Sequence, residues 1–116
     1  LVTYEYDAAG NLIAKTESDG TVYTYYVPSG RMHTKTTPAG VIYEYDDTAA
    51  HDNGTPGDAT DDYGVLVKET ASDGTYKTFS NYYDADQARY VREYDALDNL
   101  LVTYEYDAAG NLIAKT

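Results

Sequence analysis

An all-β chain of tandem β-hairpins in meander order is what this sequence predicts, and three observations carry the prediction. Glycines recur every ten residues, at Gly10, Gly20, Gly30 and Gly40, and again at Gly54, Gly64 and Gly74. Between them lie short segments in which apolar or aromatic residues alternate with polar ones, the period of a strand with two distinct faces. Finally, the sixteen residues LVTYEYDAAGNLIAKT stand at 1–16 and again at 101–116. Residues 1–100 therefore read as one repeat unit and 101–116 as the start of the next.

The elements follow in order. In the first segment Val2, Tyr4 and Tyr6 share one face, while Thr3 and Glu5 share the other. Asp7-Ala-Ala-Gly10 is a turn: Asp7 can accept a backbone hydrogen bond from two residues on, and Gly10 accepts the left-handed exit. The next strand opposes Leu12, Ala14 and Thr16 to Ile13 and Lys15, so its start is apolar on both faces. Asp19-Gly20 then lies between β-prone segments, which predicts a type I′ hairpin turn with positive φ at both residues. Shifting the sequence by 54 places Gly10–Gly20 on Gly64–Gly74, so Asp73-Gly74 repeats this turn. Tyr23 and Tyr25, Tyr43 and Tyr45, Tyr104 and Tyr106, and more loosely Tyr90 and Tyr94, repeat the tyrosine pairing, and Asp107 with Gly110 repeats the first turn. Pro28-Ser-Gly30 and Pro38-Ala-Gly40 are degenerate turns. Each ten residues thus predict a strand of about six or seven plus a turn, and residues 84–89 could add at most one turn of helix.

Composition first points elsewhere. Leu, Val, Ile and Phe make 19 of 116 residues, or 16%, in a chain of formal net charge −12 and pI about 4.2, which is the profile of disorder. Fifteen tyrosines raise the share to 29%. Placed two apart on strands, their rings predict a ladder across one face of a thin, wide sheet. An exposed contact surface for carbohydrate or protein is the other use such rings could have. The charge excludes nucleic acid as a partner, because phosphate binding needs clustered cations. No apolar run approaches the ~18 residues of a membrane span. With no cysteine there is no disulfide or thiol chemistry, and Leu1 in place of an initiator Met predicts the interior of a longer chain.

The ten-residue beat breaks at 46–62, a protruding loop with six Asp and no Lys or Arg. It reads either as a solvated acidic loop or as a Ca²⁺ site using Asp52, Asp58, Asp61 or Asp62, since crowded carboxylates repel unless screened or bound to a cation. The spacing does not fit an EF-hand. Asn53-Gly-Thr55 is a formal glycosylation acceptor and, equally, turn chemistry. His33 and His51 stand apart from any zinc-ligand or triad pattern, and Asp61 and Asp62 lack the apolar pocket that glycosidase chemistry needs. No enzyme and no cofactor are therefore expected, the Ca²⁺ site aside.

Tyr4-Glu-Tyr-Asp-Ala-Ala-Gly-Asn-Leu12, followed by Ser18-Asp-Gly20, Tyr23 and Tyr25, resembles the YD repeat, also called the RHS repeat. Tyr43–Asp46, Gly64–Leu66 with Asp73-Gly74, and Tyr104–Leu112 match parts or all of the same pattern; 23–32 and 82–100 depart from it. The resemblance implies a non-catalytic scaffold from a large secreted or cell-surface protein, in which hairpins form a spiralling β-ribbon or solenoid-like array. In some members the ribbon closes as a shell around a toxin; in teneurin-type proteins it serves adhesion. Sixteen identical residues one unit apart suggest equivalent environments, as in an open fibre, stalk or adhesin whose partners are neighbouring copies. The shell wall is the alternative, and an enzyme acting on polysaccharide is a third reading.

Overall fold

The computed structural model describes residues 1–27, 29–48 and 63–116. Among these residues ten strands form one antiparallel sheet in sequence order: β1 (Thr3–Tyr6), β2 (Leu12–Thr16), β3 (Val22–Tyr25), β4 (Met32–Thr36), β5 (Ile42–Tyr45), β6 (Leu66–Thr70), β7 (Tyr76–Ser80), β8 (Tyr90–Tyr94), β9 (Leu100–Tyr106) and β10 (Leu112–Lys115). The meander is as the glycine beat predicts. Most strands have four or five residues, shorter than the predicted six or seven, and only β9 reaches seven. Asp52, Asp58, Asp61 and Asp62 lie outside the described residues. Residues 84–89 form bends and no helix; Asp84 instead accepts hydrogen bonds from the backbone N–H of Asp86 and Gln87 at 2.8 and 2.9 Å.

The hairpin turns differ from the expected type I′. At Glu17–Thr21 the Gly20 N–H donates to the Glu17 carbonyl at 3.0 Å and the Glu17 N–H to the Thr21 carbonyl at 2.8 Å. Gly20 has φ +96°, whereas Asp19 is not among the residues with positive φ. This is a type I turn closed by a left-handed glycine, and Asp73-Gly74 repeats it. The Asp19 carboxylate explains the preference: it accepts the Thr21 N–H at 2.8 Å, a bond that holds Asp19 in ordinary right-handed backbone and leaves only one position needing glycine.

The other turns vary the same scheme. Asp7 Oδ1 accepts the N–H groups of Ala9 and Asn11, each at 2.9 Å, and the Asn11 side chain closes the clamp on both carboxylate oxygens. Where Tyr26 replaces the aspartate, the turn lengthens by a residue, with Gly30 N–H donating to Tyr26 and Tyr26 N–H to Arg31. At 95–99 glycine is absent, and Asp98 takes the left-handed position at φ +68°. Around the acidic insertion Asp46 and Val65 stand where Asp7 and Asn11 do, joined by the same N–H to carbonyl bond at 3.1 Å, so the insertion enters inside one turn without breaking the ladder.

Five hairpins carry a register shift that places the second tyrosine of Tyr-x-Tyr, or its equivalent, opposite the Leu or Met after the turn: Tyr6 and Leu12, Tyr25 and Met32, Tyr45 and Leu66, Tyr94 and Leu100, Tyr106 and Leu112. The extra residue in the first is Ile13, which is why that strand reads apolar on both faces. The expected ladder of rings is corrected as well. The cross-strand row through the sheet runs Tyr4, Lys15, Tyr23, Lys35, Tyr43, Glu69, so rings alternate with long charged side chains. Lys15 and Lys35 lie 5.6 and 6.0 Å from the Tyr23 ring centre, where stems and ammonium groups cover the ring that a second tyrosine would otherwise have covered. Behind it Thr24 and Thr34 share a 2.6 Å hydroxyl bond.

One layer encloses little. Among the described residues no side chain is fully buried, and the most protected apolar ones are Tyr25, Met32 and Ala88.

A candidate interface between repeat units

The two copies of LVTYEYDAAGNLIAKT fold as the same hairpin, β1–β2 and β9–β10, with matching register: Tyr6 opposite Leu12 and Tyr4 opposite Lys15, then Tyr106 opposite Leu112 and Tyr104 opposite Lys115. Their surroundings are complementary. Val2, Tyr4 and Tyr6 are 40%, 51% and 60% exposed, whereas Val102, Tyr104 and Tyr106 are half-buried. Conversely Leu112 and Ile113 are 53% and 57% exposed, while Leu12 and Ile13 are half-buried. Identical residues differ only in what lies beside them.

On the β9 side the cover is β8 together with residues 81–89. β8 pairs with β9 through Tyr90 and Glu105, Val91 and Tyr104, Arg92 and Thr103, and Glu93 and Val102. The connecting segment then fastens the far end of β9. The Tyr106 N–H donates to the Arg89 carbonyl at 2.8 Å, and Tyr83 Oη donates to the Tyr106 carbonyl at 3.0 Å. The Arg89 guanidinium meets the Glu105 carboxylate at 3.0 Å. Gln87 Oε1 stands 3.0 Å from where a Cβ on Gly110 would be, whereas at Gly10 that space is open. Beneath the segment a groove of about 360 Å³ is lined by Tyr45, Leu66, Phe79, Tyr82, Val91 and Tyr106, among others. Burial pushes the Tyr82 hydroxyl up to about 12, with the Asp46 charge adding to it; Tyr82 donates to the Leu66 carbonyl. On the other side β3 covers β2, pairing Ala14 with Thr24, Lys15 with Tyr23 and Thr16 with Val22.

Each residue of the sequence motif has a place in this sheet. Tyr4, Tyr43 and Tyr104 sit in or match the charged row. Tyr6, Tyr45 and Tyr106 face a leucine across a bulge, and Asp7, Asp107, Gly10 and Gly110 build the turns. The family model described as RHS Repeat matches residues 6–42, the stretch from Tyr6 through the turns closed by Gly10, Gly20, Gly30 and Gly40 to the start of β5. Residues 6–42 are thus similar to an RHS repeat, a structural repeat family. No curated protein matches the chain.

Two features of these hairpins were not anticipated from sequence. The register shift that sets Tyr against Leu is invisible without strand pairing, although a strand apolar on both faces is its signal. The 81–89 segment, which lacks the glycine beat, turned out to cover the neighbouring hairpin; Tyr82-Tyr83 and Arg89 are its only cue.

Proposed function

We propose that this chain is a non-catalytic structural segment of a large secreted or cell-surface protein, one unit of a tandem RHS array that builds an extracellular fibre, stalk or adhesin. The observation that carries the reading is the complementary exposure of the identical hairpins. Subtracting the 100-residue period from the β9 register pairs β8 of one unit with β1 of the next, Tyr90 against Glu5, Val91 against Tyr4 and Arg92 against Thr3. Gln87 and Arg89 of the preceding unit then meet Gly10 and Glu5. In the same way β3 of a following unit pairs with β10, Thr24 against Ala114 and Tyr23 against Lys115. The partner is thus another copy of the unit, and each junction repeats contacts that already occur within the chain. Pairing of this kind leaves no sheet edge bare along the array, and the charge of −12 per 116 residues keeps arrays apart from one another.

Electron microscopy of a chain carrying several 100-residue units tests the proposal. Filaments with a regular axial repeat are the expected result; hollow capsules would replace the fibre by the shell wall. The 116-residue chain alone is expected to self-associate through β1 and β10, and a monomer with a sharp, concentration-independent transition would count against the docking described.

A further inference from the structure

We propose that Tyr76 and Tyr94 form an oxidative cross-linking site, with Asp98 as the proton acceptor, at which a one-electron oxidant generated by a haem peroxidase from hydrogen peroxide joins the two rings as dityrosine. The two residues are directly opposite each other on β7 and β8, and their rings stack at 4.8 Å between centres and 13° between planes. Tyr45 and Tyr63 are also close, at 5.1 Å, but edge to face at 67°, an arrangement that aims one ring edge at the other ring's face instead of bringing ortho carbons side by side. The stacked pair borders an open groove of about 350 Å³ lined also by Glu69, Thr75, Lys77, Glu93 and Leu101, so a small oxidant reaches it and the rings have room to turn.

The second observation is Asp98. It occupies the left-handed position at φ +68° that glycine holds at Gly10, Gly20, Gly40, Gly74 and Gly110, a conformation unfavourable for a residue with a Cβ. Its carboxylate accepts the Tyr76 hydroxyl at 2.7 Å. Tyr26, Tyr82 and Tyr83 donate instead to backbone carbonyls, which are poor bases. Tyr23 has Glu17 as a carboxylate neighbour, yet its ring lies near two lysines, Lys15 and Lys35. Lys68 Nζ sits 4.4 Å from the Tyr76 ring centre. A cation there opposes a positively charged ring, so electron loss from Tyr76 requires its proton to leave at the same time, and Asp98 is placed to receive it.

Each tyrosine loses one electron to the oxidant and one phenolic proton, Tyr76 to Asp98 and Tyr94 to water. The two neutral radicals join by a carbon–carbon bond between ring positions ortho to the hydroxyls, and the two hydrogens on those carbons move to the oxygens, restoring both phenols. Two hydrogen atoms are lost in all, while one hydrogen peroxide becomes two waters. The link would close the hairpin at the end furthest from the 81–89 connection, since Tyr76 and Tyr94 are the pair furthest from it in the β7–β8 register.

The test treats the full chain with a haem peroxidase and limiting hydrogen peroxide, then maps tryptic peptides. The expected product joins 69–77 to 93–115 with the loss of two hydrogen masses, fragmentation placing the bond at Tyr94 and not at Tyr104 or Tyr106. Tyr76→Phe and, independently, Tyr94→Phe lose this peptide. Asp98→Asn, which tolerates the left-handed backbone and keeps an acceptor oxygen but is no base, forms it several-fold more slowly with the sheet circular dichroism unchanged. Links scattered over other tyrosines, or found only between chains, overturn the site; an unaltered rate in Asp98→Asn overturns the role of Asp98.

Discussion

Placing an alanine at two glycines with the same backbone but different neighbours separates what a turn needs from what its neighbour needs. Gly20 and Gly74 close equivalent turns at φ +96° and +93°. A Cβ on Gly20 would meet Pro38 at 4.0 Å, an ordinary contact, whereas on Gly74 it would meet the Ala96 Cβ at 3.2 Å. Both substitutions impose the left-handed penalty, about 1–2 kcal/mol. Gly74→Ala adds crowding against the next turn, where the Ala96 Cβ is tied to backbone and cannot swing aside; overpacking of this kind costs about 1–3 kcal/mol, and at the open margin of a sheet the lower end applies. Gly20→Ala is therefore expected to cost about 1–2 kcal/mol and Gly74→Ala about 1 kcal/mol more. Gly40→Ala, whose Cβ would meet Ser72 at 3.2 Å, should follow Gly74→Ala. Thermal melts at one protein concentration read the difference as roughly 4 °C per kcal/mol. Equal losses at Gly20 and Gly74 would refute the stacking of turns along the sheet margin, and no loss at either would refute the left-handed closure itself.

The remaining expectations concern hydroxyls and carboxylates. Thr24→Val leaves the Thr34 hydroxyl without its 2.6 Å partner and should cost about 1 kcal/mol, most of it recovered when Thr34→Val is added, as urea midpoints will report. Asp7, Asp19, Asp73, Asp95 and Asp107 titrate below the usual 3.8, first because of hydrogen bonds from Asn11, Thr21, Thr75, Asn99 and Asn111 respectively. A depressed folded value means that this contribution is present above pH 3.8 and lost as pH falls through the folded values, so acid should loosen the turns in turn-by-turn NMR titration, and carboxyl carbons titrating at or above 3.8 would contradict the clamps. At the alkaline end the Asp98 hydrogen bond pushes Tyr76 up to about 12. Its contribution is present below pH 10 and lost as pH rises through about 12; phenolate absorbance should show Asp98→Ala lowering that titration toward 10, and an unmoved titration would contradict the bond.

Much of this fold was legible because its determinants are local. A turn made by Asp7, Gly10 and Asn11 is written in five consecutive residues, and a meander needs nothing beyond a chain of such turns with strands between them. The type I′ expectation at Asp19-Gly20 failed for a local reason too: the Asp19 carboxylate bonds the Thr21 N–H, which competes with the left-handed backbone that the dipeptide otherwise favours. The ladder of rings failed for a non-local one. Tyr23 is flanked by Lys15 and Lys35 across strand pairs eight and twelve residues away in sequence, and only register decides which side chains meet.

The row of β-hairpins could be read from short-range and exact patterns: Asp-x-x-Gly turns, alternation, and sixteen residues that stand at both 1–16 and 101–116. Tertiary structure alone decided which surfaces of identical hairpins are covered. Tyr6 and Tyr106 have the same neighbours along the chain, yet one is exposed and the other lies under Tyr83 and Arg89. Burial depends on what approaches through space, and in a single-layer sheet that comes from the adjoining strand and its connection.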